Sequence, residues 1–184
     1  MENIAQVSKS IYDKGLVSGK AGNISVRSGD VVAITPTLKS LGNLTSEDIV
    51  LVDLTGKVLT KGKPSSEVNM HLEIYKARSD VKSIVHTHSP YATGFAFSQK
   101  KLKRLEGFGE IKNPYIQSVE YEKPGSMELA LSVRDKIKDE DVLILKNHGV
   151  ICVGDTLDEA MMLSVFIEES AKTQFITHAL NLKE

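Results

Sequence analysis

The chain has 184 residues, with 23 Lys and Arg against 24 Asp and Glu, and its single Cys152 excludes an intrachain disulfide. A domain of that length buries roughly 70% of its unfolded surface without covalent staples. The balanced charge gives no basic footprint for nucleic acid, no apolar run approaches the ~20 residues of a membrane helix, and Glu2, Lys9, Asp13 and Lys14 interrupt any secretory leader, so a cytoplasmic protein is expected.

Ile4, Val7, Ser8, Ile11 and Tyr12 recur at three-four spacing and predict an amphipathic helix ending near Gly15. The glycine-punctuated loop Ser18-Gly19-Lys20-Ala21-Gly22-Asn23 leads into a short strand, Ile24 to Arg27. Ser28-Gly29-Asp30 has hairpin-turn composition, and a strand follows from Val31 to Thr35. Two more strands are expected at Ile49 to Leu54 and Val58 to Thr60. Lys63-Pro64-Ser65-Ser66-Glu67 opens a helix reaching about Arg78, with a serine as cap and Glu67 at the positive end of the dipole. Bounded by Asp80 and Pro90 and carrying β-branched Ile84 and Val85, the next run reads as a strand that ends in His86-Thr87-His88. Pro90 starts a helix through about Gln99; Lys100 to Glu106 and the glycines around Phe108 read as surface loop. Ile116 to Tyr121 is strand-like, Ser126 to Lys138 is helical, and Val142 to Val153 is two strands turning at Asn147-His148-Gly149. The last helix, about Leu157 to Leu180, is apolar nearly all round, as in a helix packed on more than one side, for instance against another subunit. Mixed strands and helices without repeat or linker argue for one α/β domain with a largely antiparallel sheet between helices.

Strand side chains alternate faces, so His86 and His88 point the same way and can close on one metal ion. Zinc needs a third ligand and, when catalytic, keeps a fourth position open; His148 is the most suggestive third. The bland alternative stands beside it: most His-x-His pairs bind nothing, and Gly149 would simply serve a turn. At Pro64-Ser65-Ser66-Glu67, two hydroxyls and free N–H groups make a cradle for a dianionic phosphate, although plain capping explains the same residues. Gly22-Asn23 and Thr35-Pro36-Thr37 offer further donors, or are merely turns. Glu67 is a carboxylate fit to bind a metal or to act as a base, while His71, one helical turn on, reads as a support behind the site or a packing residue. His178 reads as solvated and Cys152 as a small buried hydrophobe.

Gly22-Asn23, Thr35-Pro36-Thr37, Pro64-Ser65-Ser66-Glu67, His86-Thr87-His88-Ser89-Pro90 and Asn147-His148-Gly149 follow one another as in the class II aldolase/adducin family, which the chain resembles over nearly its whole length. The resemblance implies a three-layer α/β/α sandwich with a mostly antiparallel central sheet over residues 1–184. It also implies a C4 homotetramer with zinc, or another divalent transition metal, in a cleft between subunits. By the same resemblance His86, His88 and His148 hold the metal, Glu67 is the acid/base, and Asn23, Thr37, Ser65 and Ser66 hold the phosphate of a sugar phosphate. Tyr121, four residues before Gly125, corresponds to the family tyrosine that reaches into a neighbouring subunit; read by itself it is an edge tyrosine. The implied reaction cleaves a ketose 1-phosphate to dihydroxyacetone phosphate and a short aldehyde. Related 4-epimerases, dehydratases and decarboxylases share the scaffold, as does a metal-free interaction module in adducin. Two departures stand out. Leu38 follows Thr37 where the family has glycine, a place where positive φ strains a leucine. The chain also ends at Glu184 without the longer arm that brings a further tyrosine, which predicts a more open aldehyde end.

Overall fold

The computed structural model describes residues 1–107 and 113–182. Among them the chain forms α1 (Glu2–Asp13), β1 (Asn23–Ser28), β2 (Val31–Ile34), β3 (Val50–Asp53), α2 (Val68–Ala77), β4 (Ser83–Thr87), α3 (Pro90–Phe97), β5 (Gln117–Val119), α4 (Met127–Lys136), β6 (Val142–Leu145), β7 (Gly149–Gly154) and α5 (Leu157–Leu180). Lys100 to Glu106 holds no helix or strand, as expected; the stretch around Phe108 lies outside the described residues.

The strands form one sheet in the order β3-β2-β1-β4-β7-β6-β5. Only β5 and β6 run parallel; the other neighbours are antiparallel. Alternation along β4 explains the layers. Ile84 joins Met70, Ile74 and Tyr75 of α2 and Leu129 of α4, whereas Val85 packs on the other face with Ile11 of α1 and Ala160 of α5. Each fully buried valine, leucine, isoleucine or methionine among them contributes about 1.5–3 kcal/mol. The result is an α/β/α sandwich. His86 shares the face of Ile84, and Asn23 lies directly opposite it across the β1–β4 ladder. The candidate site therefore forms beneath the N-terminal end of α2.

Two expected elements differ. Helix α2 begins at Val68, because residues 63–65 run extended beside Thr35 to Thr37: Thr37 N–H donates to Lys63 O at 3.1 Å and Ser65 N–H to Thr35 O at 3.0 Å. Glu67 is then the N-cap, at φ −97°, with no capping side-chain bond, and Ser65 Oγ accepts from Glu67 N at 3.2 Å instead of capping the helix. Val58 to Thr60 makes only an isolated bridge, Val52 to Val58. Val58 and Leu59 are exposed, so no face is buried to extend a strand. Cys152 is fully buried in β7, which pushes its thiol up. Helix α5 buries Leu163 and Ile167 but leaves Met162, Phe175, Ile176 and Leu180 exposed on the single chain. No helix among the described residues is long and apolar enough to cross a membrane.

Candidate active site

His86 comes from within β4, His88 from just past its end, and His148 from the turn joining β6 to β7. Their ring centroids lie 4.8, 4.8 and 5.0 Å apart, and one nitrogen from each lies within 4.8 Å of the others. Ligands at about 2.0–2.1 Å from a tetrahedral zinc stand roughly 3.4 Å apart, so small side-chain shifts close this set on an ion. His86 Nδ1–H donates to Val150 O at 2.9 Å, which turns Nε2 towards His88 Nε2 at 3.0 Å and leaves it free for an ion that displaces the Nε2 proton. Burial first, then the charge of His86, pushes His88 down to about 3 and His148 to about 4, so both present neutral, ligand-competent nitrogens. Glu67 Oε1 and His148 Nδ1 are buried without a hydrogen-bond partner among the described residues. Converging lone pairs beside an unpartnered carboxylate oxygen fit a divalent metal.

Gly149 does not serve the turn as expected. It is the first residue of β7, and a Cβ there would meet Thr87 O at 2.4 Å, the His88 ring at 3.1 Å and the His86 ring at 3.3 Å. The left-handed residue of the turn is Asn147, at φ 54°, a residue type that tolerates it. Gly149 is instead the gap through which two histidines pass.

Glu67 is 6% exposed. Its Oε2 accepts from Asn23 Nδ2 at 2.8 Å and lies 3.2 Å from His86 Nε2, while Oε1 lies 3.4 Å from His148 Nε2. Burial pushes the carboxyl up, but the His86 charge and the hydrogen bonds from His86 and Asn23, with His148 adding its attraction only when protonated, outweigh it and hold it well below the usual range. Burial likewise presses His86 down, and Glu67 overcomes it, so His86 is raised. Glu67 is an ionised carboxylate. Behind Asn23 stands His71, which is fully buried on α2.

A cavity of about 260 Å³ opens beside these groups, lined by Asn23, Thr37, Ser65, Ser66, Glu67, His88 and His148 among others. All four expected phosphate residues thus share one cavity with the carboxylate and two of the histidines. Leu38 also lines it and does adopt the left-handed conformation, at φ 62°, with its side chain 73% exposed. The loop therefore keeps a glycine-like path at a cost of roughly 1–2 kcal/mol. Tyr121 does not line the cavity; it is 54% exposed, although Pro124, three residues on, does line it. Gly125, at φ 78°, seats this turn so closely that a Cβ would meet Ser66 O at 2.9 Å. Two lining residues, Lys20 and Pro124, were not among the expected site residues. Lys20 comes with the loop that carries Asn23, whereas Pro124 is brought here by the fold.

The family model for the Class II Aldolase and Adducin N-terminal domain matches residues 2–175. The chain belongs to that family, and it is an enzyme of the class II aldolase type. An L-fuculose phosphate aldolase of Methanococcus maripaludis is 43% identical over 95% of this chain and 96% of its own length. A 3-oxo-tetronate 4-phosphate decarboxylase of Haemophilus influenzae is 35% identical, covering 95% and 86%. The crystal structure of an L-fuculose-1-phosphate aldolase from Thermus thermophilus superposes with a TM-score of 0.85 at 29% identity, covering 96% of this chain and 92% of that one.

Proposed function

We propose that this chain is a zinc-dependent aldolase, acting as one domain over residues 1–184. It would reversibly cleave a ketose 1-phosphate of the L-fuculose 1-phosphate type to dihydroxyacetone phosphate and a short aldehyde such as lactaldehyde. One observation carries the reading: three imidazoles and an ionised carboxylate converge at a cavity lined by the donors of Asn23, Thr37, Ser65 and Ser66. Zinc held by His86, His88 and His148 would supply Lewis-acid stabilisation of the negative charge that develops on substrate oxygen as the C–C bond breaks. Glu67, being ionised, takes a carbon-bound proton from dihydroxyacetone phosphate in condensation and returns it to the carbanionic carbon in cleavage. Ser65 Oγ already accepts from Glu67 N, so its own O–H remains for a phosphate oxygen.

Tyr121 would exchange the proton on the oxygen that becomes the aldehyde, in a neighbour's site of a C4 tetramer. Its exposure away from its own cavity and the uncovered apolar residues of α5 support that assembly. The enzyme would work in the cytoplasm. Incubating the zinc-loaded protein with dihydroxyacetone phosphate and a panel of short aldehydes, then identifying the products, tests the reading; no new ketose phosphate from any aldehyde would refute it. The decarboxylase relative favours one second reading, carbon dioxide release from a sugar-acid phosphate. A metal-free, adducin-like module is disfavoured by the three converging histidines, and metal analysis decides it.

A further inference from the structure

A buried polar chain runs from the core to the candidate base. Tyr75 OH lies 2.7 Å from Ser25 Oγ, Ser25 Oγ 2.7 Å from His71 Nδ1, His71 Nε2 2.5 Å from Asn23 Oδ1, and Asn23 Nδ2 2.8 Å from Glu67 Oε2. Ser25, His71 and Tyr75 are each at most 1% exposed. No water is needed to close this chain.

The direction of every bond follows from its last member. An ionised carboxylate only accepts, so Asn23 must turn its NH2 towards Glu67 and its carbonyl towards His71. His71 must then carry its proton on Nε2 and offer a bare Nδ1. Ser25 donates to that Nδ1, and Tyr75 donates to Ser25. Flipping Asn23 would set oxygen against oxygen at Glu67 and N–H against N–H at His71. An amide held this way has a second Nδ2–H, and Asn23 also lines the cavity beside Ser65 and Ser66.

We propose that His71 is a positioning residue, a neutral Nε2–H imidazole that locks the Asn23 amide so that one N–H holds the acid/base Glu67 and the other faces the bound substrate phosphate. The inference rests on the aldolase reading of the site. It makes phosphate binding and proton transfer depend on a residue that touches neither substrate nor metal. His71 lies one helical turn beyond Glu67 on α2, so carboxylate and imidazole are carried by one rigid element. Burial also keeps the ring uncharged, with its pKa pushed down to about 3.

The test uses zinc-loaded enzyme. Side-chain ¹⁵N NMR should show His71 as the neutral Nε2–H tautomer from pH 5 to 8; an Nδ1–H tautomer or an imidazolium overturns the proposal even if no variant folds. His71→Leu, with zinc content unchanged, should lose about 10- to 100-fold in deuterium exchange at dihydroxyacetone phosphate and raise KM for that substrate. His71→Gln keeps a donor towards Asn23 and should recover most of both. A merely structural residue would change thermal stability without this paired loss and rescue. His71→Leu exchanging at the wild-type rate with an unchanged KM would overturn the positioning role. Wild-type enzyme that exchanges nothing would instead overturn the aldolase reading, and the tautomer would still be decided by its own spectrum.

Discussion

Replacing Glu67 by glutamine removes a charge and almost nothing else. The shape is kept, and the Gln carbonyl can still accept from Asn23 Nδ2, which now stands 2.8 Å from Oε2. What is lost is the carboxylate that lies 3.2 Å from His86 and 3.4 Å from His148 and that those groups hold ionised. If that carboxylate moves the substrate proton, its loss lowers turnover by about 10²–10⁴-fold, or roughly 2.7–5.4 kcal/mol in the barrier. The three imidazoles remain, so zinc stoichiometry should stay at one per chain. Deuterium wash-in at dihydroxyacetone phosphate, followed by NMR, isolates the proton step from C–C cleavage, and elemental analysis follows the metal. Exchange within twofold of wild type would remove Glu67 as the acid/base. Zinc lost together with exchange would make it a ligand instead.

Gly149→Ala should deplete zinc in a still-folded protein, since its Cβ would press on Thr87 O and both flanking histidine rings; full zinc occupancy would show that β4 yields more easily than its packing implies. Leu38→Gly relieves a left-handed leucine but loosens the unfolded chain, so stability should change by about 0–1 kcal/mol in its favour; a loss above 1 kcal/mol in urea titration would deny the strain. Tyr121→Phe should keep zinc and proton exchange yet cleave slowly, and mixing it with His86→Ala should restore activity in mixed tetramers verified by native mass spectrometry; confirmed mixtures without recovery would place Tyr121 outside a neighbour's site. Burial pushes the folded His71 ring down to about 3, below its ordinary ~6.5, so the unfolded chain takes up the proton first and metal-free stability falls as pH falls, by roughly 2–3 kcal/mol from pH 6 to pH 4. His71→Gln should flatten the pH dependence by that amount, and parallel wild-type and variant curves would contradict the buried neutral ring.

Most sheet strands and the shared face of His86 and His88 were legible because both are local or periodic, whereas His148 was joined to them by the family resemblance and no spacing rule couples it to β4. Ile84 and Val85 mark β4 by composition, and residues two apart share a face. The start of α2 was not legible. A helix N-terminal signature at Pro64 to Glu67 competed with pairing to Thr35 and Thr37, nearly thirty residues away, and the pairing won. The work of Gly149 was hidden for a similar reason, since the atoms its Cβ would strike belong to β4 and the residue just past it. His71 showed helical spacing from Glu67, but its partners Asn23 and Ser25 lie on β1, and no spacing rule couples them. Leu38 ran against its own propensity and took the left-handed turn, because the surrounding loop fixes the path.

Metal-dependent cleavage itself is decided by giving L-fuculose 1-phosphate to the purified protein, following dihydroxyacetone phosphate by its enzymatic reduction, and repeating the assay after chelation and zinc restoration. Stoichiometric dihydroxyacetone phosphate and aldehyde are expected, abolished by chelation and restored by zinc. Cleavage that persists at full rate in metal-free protein, or no dihydroxyacetone phosphate from any ketose 1-phosphate by fully zinc-loaded protein, would contradict the proposed chemistry.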